Sequence, residues 1–466
     1  MKLSFLSLSC TLIITGCSLA PEYQTPSVDT LYNVVDTKNA SQKPAVDLSW
    51  KSAFTEPRLQ LLISLALENN KDLRLATLNV AAAKAQYGIQ RSYRLPSLDA
   101  TISGTRQRGE NDIGGVSTTS EYGAGLGISA FEIDLFGYAR SMSEAAFYRY
   151  LVTKQGKKSA ELVLISAVAD AYHAQLLAKE QLSLSQQTLV DWENSLELAR
   201  QLKAAEQSSA LDVAQAEGQV ATAEADLQAR QRSLALSNHA LQLLLGQSLP
   251  EDLSEPSTLE NQPLQVMPKN LTSELIFNRP DIIQAELNLK AANADIGAAR
   301  AAFFPRISLT ASTGYSSQDV KNLFDGESRV WSFSPQISIP LFNAGKLKSE
   351  LRLAEIRKSS AIISYEQAVQ TAFKEVADGL SGLETFGLQI KAQERAVNSA
   401  SKRAELSLLR YRAGVDDRLE LLDAQRQLYA ERQVLIDLKG AELANYVALY
   451  KALGGSFLNN TQTVGY

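Results

Sequence analysis

The chain has 466 residues, of which 45% are hydrophobic, 7% aromatic and 21% charged. This composition is typical of a globular protein and excludes a disordered, collagen-like or disulfide-knitted chain. The formal net charge is -5, from 46 basic and 51 acidic residues, so the electrostatic signature of a nucleic-acid-binding protein is missing. Two histidines and two cysteines supply too few ligands for a zinc or iron–sulfur site unless carboxylates provide most of them.

The first residues predict an export signal. A basic start precedes the apolar run from Leu3 to Ile14, which is too short to span a bilayer permanently. Ile14-Thr15-Gly16-Cys17 resembles a bacterial lipoprotein signal, and this resemblance implies cleavage before Cys17, removal of Cys10 and lipidation of the Cys17 thiol. Ser18 follows; an Asp there would, in many such bacteria, retain the lipoprotein at the inner membrane, so the outer membrane is favoured. The alternative is an ordinary signal peptide with a chance cysteine.

The mature chain is predicted to be an internal duplication with an offset of about 208 residues. The pairs that hold this register are Asp72 with Asp281, Pro96 with Pro305, Leu135-Phe136 with Leu341-Phe342, Leu211-Asp212-Val213 with Leu419-Glu420-Leu421, and Leu245-Gly246 with Leu453-Gly454. The predicted organisation is a signal peptide (1–16), a lipidated segment and belt (17–57), a first repeat (58–249), an inter-repeat belt (250–270), a second repeat (271–455) and a tail (456–466).

Proline placement predicts very long helices. Proline is missing from Ser97 to Leu249 and from Leu341 to Tyr466, and a proline inside a helix costs about 3 kcal/mol. The segment from Lys346 to Arg412 is rich in helix-forming residues, and as one helix it would be on the order of 100 Å long. The matching segment of the first copy runs from about Arg140 to Lys203. Long helical hairpins are therefore expected over 140–246 and 346–453.

Heptad repeats predict how these helices pack. The apolar stripes are Val213, Val220, Leu227, Leu234 and Leu241 in the first copy, and Leu421, Leu428 and Leu435 with the adjoining Leu422, Tyr429, Ile436 and Leu443 in the second. A period of seven indicates left-handed supercoiling, and a doubled stripe indicates contact with more than one neighbour. A closed wall of helices fits this pattern better than a two-stranded coiled coil. Glu442 departs from the stripe.

Each copy also contains a pair of alternating segments, over about 97–131 and about 306–340. A period of two predicts strands with one apolar and one polar face, and about ten residues is the length of a tilted membrane strand. The segments Arg106–Glu121 and Ser317–Arg329 are expected to be extracellular loops. Four strands cannot close a barrel large enough to hold water, so either several chains share one barrel or the hairpins belong to another kind of sheet.

Three motifs carry a family resemblance over nearly all of the mature chain. They are Phe131-Glu132-Ile133-Asp134-Leu135-Phe136-Gly137, Arg410-Tyr411-Arg412-Ala413-Gly414-Val415-Asp416 with the following Leu421-Leu422-Asp423-Ala424-Gln425-Arg426, and Leu449-Tyr450-Lys451-Ala452-Leu453-Gly454-Gly455. The chain resembles the TolC-like outer-membrane efflux channel family, in particular the lipoprotein branch represented by OprM. The resemblance implies a mainly α fold with a membrane β-barrel: a trimer in which three chains share twelve strands and twelve periplasmic helices form a tunnel.

No enzyme signature is present. The sequence has neither a G-x-x-x-x-G-K-[ST] loop nor a G-x-S-x-G elbow, and His173 and His239 are interpreted as ordinary helix residues. The protein is therefore predicted not to be an enzyme and to need no metal or cofactor apart from the covalent lipid on Cys17. Energy for transport would have to come from partner proteins.

A periplasmic gate is the sharpest site hypothesis. Leu419 and Asp423 are four residues apart and share a helix face, so threefold symmetry would produce an apolar ring and an acidic ring. The family resemblance implies that these two residues line the constriction, while Tyr411 and Arg426 make the inter-helix links that hold it. Mutual repulsion would raise the pKa of some of the carboxylates, and the acidic ring would favour cations. The alternative is a surface salt bridge between Asp423 and Arg426.

The turns of the two helical hairpins are the candidate docking tips. Gly414 and Val415 lie in one turn, and Ser208 and Ser209 lie in the aligned turn of the first copy, where Glu206 departs from the glycine usual in the family. The resemblance implies that these tips contact a periplasmic adaptor protein, which is linked to an inner-membrane pump of the resistance-nodulation-division type. The alternative is that they are simple turns.

The predicted function is a passive, gated exit duct that exports small molecules such as drugs through the outer membrane, with its tunnel extending into the periplasm. Two alternatives stay open at this stage. One is an outer-membrane channel for protein secretion, and the other is a periplasmic coiled-coil scaffold without a pore. Only Met142 and Met267 remain after processing, so a methionine relay for copper or silver has no support.

Overall fold

The computed structural model describes residues 19–28, 49–110, 115–250, 258–259, 262 and 276–455. Cys17, most of the inter-repeat belt and the whole C-terminal tail lie outside the described residues. The chain divides into two compact units, which we call the sheet unit and the helical unit. The sheet unit comprises residues 1–27, 78–155 and 284–366, and the helical unit comprises residues 28–77, 156–283 and 367–466.

Helices account for most of the described residues. Their bounds are α1 Trp50–Ala53, α2 Pro57–Asn69, α3 Lys71–Ser92, α4 Tyr138–Ala204, α5 Ala210–Leu245, α6 Pro280–Ala301, α7 Lys346–Arg412 and α8 Arg418–Ala452. Among the described helices, none combines the length and the hydropathy that a membrane crossing requires.

The two longest helices lie within the proline-free segments. Helices α4 and α7 each contain 67 residues, so the predicted helix from Lys346 to Arg412 is confirmed and its counterpart is two residues longer at its start than predicted. Asp134 helps to define that start, since its carboxylate accepts a hydrogen bond from the Arg140 backbone N–H at 2.7 Å. Such a cap satisfies one of the N–H groups that lack a partner in the first helical turn.

Heptad positions are buried where hairpin partners meet. In the helical unit, one face of α5 packs on α4 in a cluster of Trp192, Leu196, Ala199, Val213, Ala216, Val220 and Ala223. In α8 the stripe residues Leu421, Leu422 and Leu443 are at most 4% exposed. Glu442, which interrupts that stripe, is half-buried, and burial raises the pKa of its carboxyl.

Four strands form one antiparallel sheet in the order β1-β2-β3-β4. Their bounds are β1 Asp99–Glu110, β2 Val116–Ile133, β3 Arg306–Ser317 and β4 Arg329–Ser338. Strands β1 and β2 are longer than predicted. Residues 106–110 and 116–121, which the sequence assigned to a loop, continue β1 and β2 as paired strand. These residues are rich in Arg, Gln, Ser and Thr, so their sequence shows no clear alternation of apolar and polar side chains. The remainder of the predicted loop, residues 111–115, lies outside the described residues except for residue 115.

Within the sheet, the two repeats meet along β2 and β3. Gly125 and Gly314 face each other in this ladder, and a Cβ on Gly314 would lie 2.5 Å from the Gly125 Cα. The backbones can approach this closely only because both residues lack a side chain.

Several large apolar side chains of the sheet are exposed within one chain. Ile102, Trp331, Phe333 and Ile337 are 87%, 77%, 61% and 63% exposed within one chain. Exposed apolar surface of this kind marks contact with another molecule or with lipid.

Candidate functional site

The two helical hairpins end in matching turns. Glu206 has a φ of 57° and Gly414 a φ of 69°, so both residues occupy the left-handed region and they lie 208 positions apart. In each turn, the N–H of the following residue bonds to the carbonyl five residues earlier, at 2.8 Å in the first turn and 2.9 Å in the second. This Schellman ending normally uses glycine. The departure from glycine at position 206 has therefore left the turn geometry unchanged.

Side chains after each turn cap the next helix. Ser209 and Asp212 form a capping box at the start of α5, and the Ser208 hydroxyl donates a hydrogen bond to the Asp212 carboxylate at 2.7 Å. The hydrogen bond from Ser208, followed by those from Ser209, lowers the pKa of Asp212. At the start of α8 the Asp417 side chain accepts from the Glu420 N–H. The tip serines thus stabilise the first hairpin.

The second tip carries a charge pair and an exposed apolar residue. Arg410 donates two hydrogen bonds to the Asp416 carboxylate, at 2.6 and 2.7 Å. These bonds raise the pKa of Arg410 and lower that of Asp416. Val415 is 64% exposed beside them. The pair fixes the turn while leaving Val415 accessible.

The two predicted gate residues lie one turn apart near the start of α8. Leu419 is 64% exposed in one chain, and the Asp423 side chain is also 64% exposed. The carboxylate of Asp423 pairs with Arg403 on α7 at 2.7 Å, so Asp423 is part of an exposed salt bridge, as the alternative supposed, but its partner is Arg403 and not Arg426. The reason is packing: α7 brings the Arg403 guanidinium to Asp423, while Arg426 bonds to Gln219 on α5.

Arg403 is a site residue that sequence reasoning missed. Its Nε and Nη2 atoms donate to Oε1 of Glu420 at 3.1 and 3.0 Å, and Nη2 also reaches Asp423. Its Nη1 atom donates to Gln427 at 2.5 Å. The hydrogen bonds from Arg403 to Asp423 and Glu420 raise the pKa of the guanidinium. Its separation of 17 to 24 positions from these partners has no helical period, so only the packing of α7 against α8 reveals the cluster.

Arg426 links α8 to α5. Its Nε and Nη2 atoms donate to the side-chain oxygen of Gln219 at 2.9 and 2.7 Å, and Gln219 is only 5% exposed. A charged donor on a buried amide oxygen makes a stronger hydrogen bond than a neutral pair does. Arg426 therefore joins two helices of one chain.

Tyr411 lies at a buried junction of α7, α8 and α4. Its ring is 5.9 Å from the guanidinium carbon of Arg418, and Arg418 donates hydrogen bonds to the backbone oxygen and hydroxyl of Ser195 at 3.2 and 3.3 Å. Among the described residues, nothing accepts or donates a hydrogen bond at the Tyr411 hydroxyl. Tyr411 therefore contacts its neighbours through its ring.

The two histidines occupy different environments. His173 on α4 is 4% exposed, and burial lowers its pKa to about 4. His239 lies on the exposed side of α5. Within the described ranges, no three His, Cys, Asp or Glu side chains are placed to share a metal ion.

Comparison with known proteins agrees with this architecture. The sequence matches the Outer membrane efflux protein family over residues 62–247 and 271–455. It is 42% identical to the probable efflux pump outer membrane protein TtgC of Pseudomonas putida, over 99% of this chain and 97% of that protein. It is 39% identical to the probable outer membrane lipoprotein SilC of Salmonella typhimurium, over 98% and 99%. The open-state MtrE outer membrane channel of Neisseria gonorrhoeae superposes with a TM-score of 0.84 at 37% identity, covering 94% of this chain and 98% of that one.

The fold and these matches define an outer-membrane channel of an efflux system. The chain belongs to the outer membrane efflux protein family, which confirms the resemblance that the three motifs indicated. Its fold class, with a duplicated chain, long helices and four strands, and its outer-membrane location are likewise confirmed. The family transports substrates and is not a family of enzymes.

Proposed function

We propose that three copies of the chain pool their sheets into one twelve-stranded barrel, and their long helices into one periplasmic tunnel. The observation that carries this proposal is the open sheet. Among the described residues, β1 pairs only with β2 and β4 only with β3, so both edge strands keep unpaired backbone groups. Such edges cannot be satisfied in hydrocarbon, and pairing with the next chain satisfies them.

Reconstitution tests the pore. The purified full-length channel in a planar bilayer is expected to give stepwise ionic conductance, and cross-linking in detergent is expected to trap a species of three chains. A protein that stays monomeric and never conducts would contradict the proposal, whereas a trimer without conductance would contradict only the open pore.

The gate proposal concerns the start of α8. Leu419 and Asp423 would form stacked rings at the periplasmic mouth, because threefold symmetry brings equivalent exposed residues around one axis. Tyr411 and Arg426 would hold the helices that carry those rings, through the ring contact with Arg418 and the hydrogen bonds to Gln219. These contacts support a resting state in which helix positions near the mouth are restrained.

The docking proposal concerns the two hairpin tips. Ser208 and Ser209 in one turn, and Gly414 and Val415 in the other, would contact a periplasmic adaptor protein that connects the channel to an inner-membrane pump of the resistance-nodulation-division type. The exposed side chain of Val415 and the matched backbone geometry of the two turns support a shared docking surface. The channel itself is passive, and the pump supplies the energy.

Small organic molecules are the proposed cargo. Relatives at 42% identity are named for toluene and antibiotic efflux, and their similarity covers 99% of this chain. Cells that lack the protein should tolerate antibiotics and solvents less well, because these compounds would no longer be exported. Lipidation of Cys17 would add a membrane anchor.

A further inference from the structure

Arg403 contacts three side chains on a neighbouring helix. It lies on α7, and its guanidinium reaches Glu420, Asp423 and Gln427, which occupy successive turns of α8. The Glu420 oxygen receives two of its N–H groups, at 3.1 and 3.0 Å. A planar guanidinium that makes several such bonds at once fixes geometry as well as charge. The side chain thus connects α7 to the face of α8 that carries Asp423.

The cluster has a definite charge balance. Glu420 and Asp423 each carry one negative charge, and Arg403 contributes one positive charge to both. One chain therefore presents a single net negative charge in this cluster, although two carboxylates are present. In a trimer, the acidic ring is a ring of ion pairs, and its field is weaker than that of three unpaired carboxylates.

We propose that Arg403 is a positioning and selectivity-determining residue of the periplasmic gate: it holds Asp423 against α7 in the resting state and cancels part of the charge of the ring. This inference rests on the proposed gate at Asp423. Loss of Asp423 removes the link between α7 and α8 together with a negative charge. Loss of Arg403 removes the same link together with a positive charge, so the two changes distinguish helix restraint from the charge of the ring.

Opposite shifts in ion selectivity are the signature of this role. Arg403→Gln removes the link and leaves two uncompensated carboxylates per chain, so the channel should leak at rest and become more cation-selective. Asp423→Asn also weakens the link, but it leaves Arg403 balanced against Glu420 alone, so the channel should leak while becoming less cation-selective. Each variant is expected to raise the resting conductance about two- to fivefold, the range that exposed ion pairs support.

The experiment uses purified full-length trimer in planar bilayers under a potassium chloride gradient. Resting conductance reports restraint, and the reversal potential reports selectivity. Lys402→Gln is the matched control, since Lys402 carries the same charge at the adjacent position but pairs with Glu405 within α7; its resting conductance should equal that of the wild type. In the double variant Arg403→Gln/Asp423→Asn, the conductance should not exceed that of the leakier single variant, because both changes remove one interaction.

Several results would overturn the inference. If Asp423→Asn leaks and Arg403→Gln does not, the gate stands and Arg403 is not part of it. If both leak but shift the reversal potential in the same direction, Arg403 does not balance the ring. If neither changes the conductance, the gate proposal and this inference both fail. Should Arg403→Gln not assemble, Arg403→Lys replaces it: a leak with unchanged selectivity supports the role, and wild-type conductance contradicts it.

Discussion

Glu206 has a left-handed backbone conformation, which residues with a Cβ disfavour. A residue with a Cβ pays about 1–2 kcal/mol in the left-handed region, and Glu206 sits there with a φ of 57°. The aligned Gly414 avoids that cost. The turn between α4 and α5 keeps this geometry although residue 206 is not glycine, because the two helices that it connects determine the path of the chain.

Replacing Glu206 by glycine should therefore stabilise the protein. Glu206→Gly is expected to raise the free energy of unfolding by about 1 kcal/mol per chain, after allowing for the greater freedom of glycine in the unfolded chain. Gly414→Glu is the reciprocal variant and should destabilise by a similar amount, since no atom obstructs its Cβ and only the backbone conformation differs. Thermal unfolding in detergent measures both. Equal melting temperatures for all three proteins would contradict the argument.

His173 makes stability depend on pH. Its pKa falls from 6.5 in the unfolded chain to about 4 in the folded chain because the side chain is buried. The unfolded state therefore binds a proton first as the pH drops, and stability that is complete above pH 6.5 is lost on going to pH 4, by about 3 kcal/mol per chain. His173→Gln should flatten this loss. His239→Gln, at an exposed position, should keep the wild-type profile. A profile unchanged by His173→Gln would refute the assignment.

The pairing of β2 with β3 holds the four-stranded sheet together. Within the sheet, it is the seam between the two repeats, and Gly125 and Gly314 are paired in it. At Gly314 this seam has no room for a Cβ, because the atom would lie 2.5 Å from the Gly125 Cα.

Gly314→Val should therefore disrupt the sheet. Its Cβ would press against the backbone oxygen of Ala124 and lie 2.5 Å from the Gly125 Cα, and overpacking of this kind costs about 1–3 kcal/mol. The amount of the proposed trimer, measured as a heat-resistant species in outer-membrane fractions, should fall. Gly109→Val in β1, where nothing lies within 4 Å of the added Cβ, should assemble normally. Equal trimer yields for the two variants would count against the seam.

The described N-terminal segment, residues 19–28, is hydrogen-bonded to α6. Within the sheet unit, the backbone oxygen of Pro21 accepts a hydrogen bond from Asn293 at 2.8 Å, and that of Leu19 accepts from Arg300 at 3.4 Å. Arg300 lies in the last turn of α6, shortly before β3 begins at Arg306. These two hydrogen bonds hold Leu19 and Pro21 against α6 within the sheet unit.

Lipid attachment can be tested directly. Cells grown with labelled palmitate should label the wild-type protein and Cys10→Ser, whose substitution is removed with the signal peptide. Cys17→Ser should carry no label, because the only thiol left in the mature chain is gone. Label on Cys17→Ser, or loss of label from Cys10→Ser alone, would contradict the predicted cleavage site.

Features that depend on local chemistry or on periodicity were predictable from the sequence. The absence of proline and the helix-forming composition predicted α7 at its observed bounds, and the repeat offset aligned the turn that contains Glu206 with the turn that contains Gly414. Strand bounds were less predictable, since the polar residues 106–110 and 116–121 have no clear alternation and pair only because β1 and β2 lie side by side.

The partners of Asp423 and Arg426 depend on how the helices pack. Asp423 and Arg426 are close in sequence, yet Asp423 pairs with Arg403 and Arg426 with Gln219. Sequence spacing describes neighbours on one helix, whereas the partner of an exposed charge depends on the rotation and register of the adjacent helix. Those two quantities arise from the packing of complete apolar stripes, so they exist only once α5, α7 and α8 have come together.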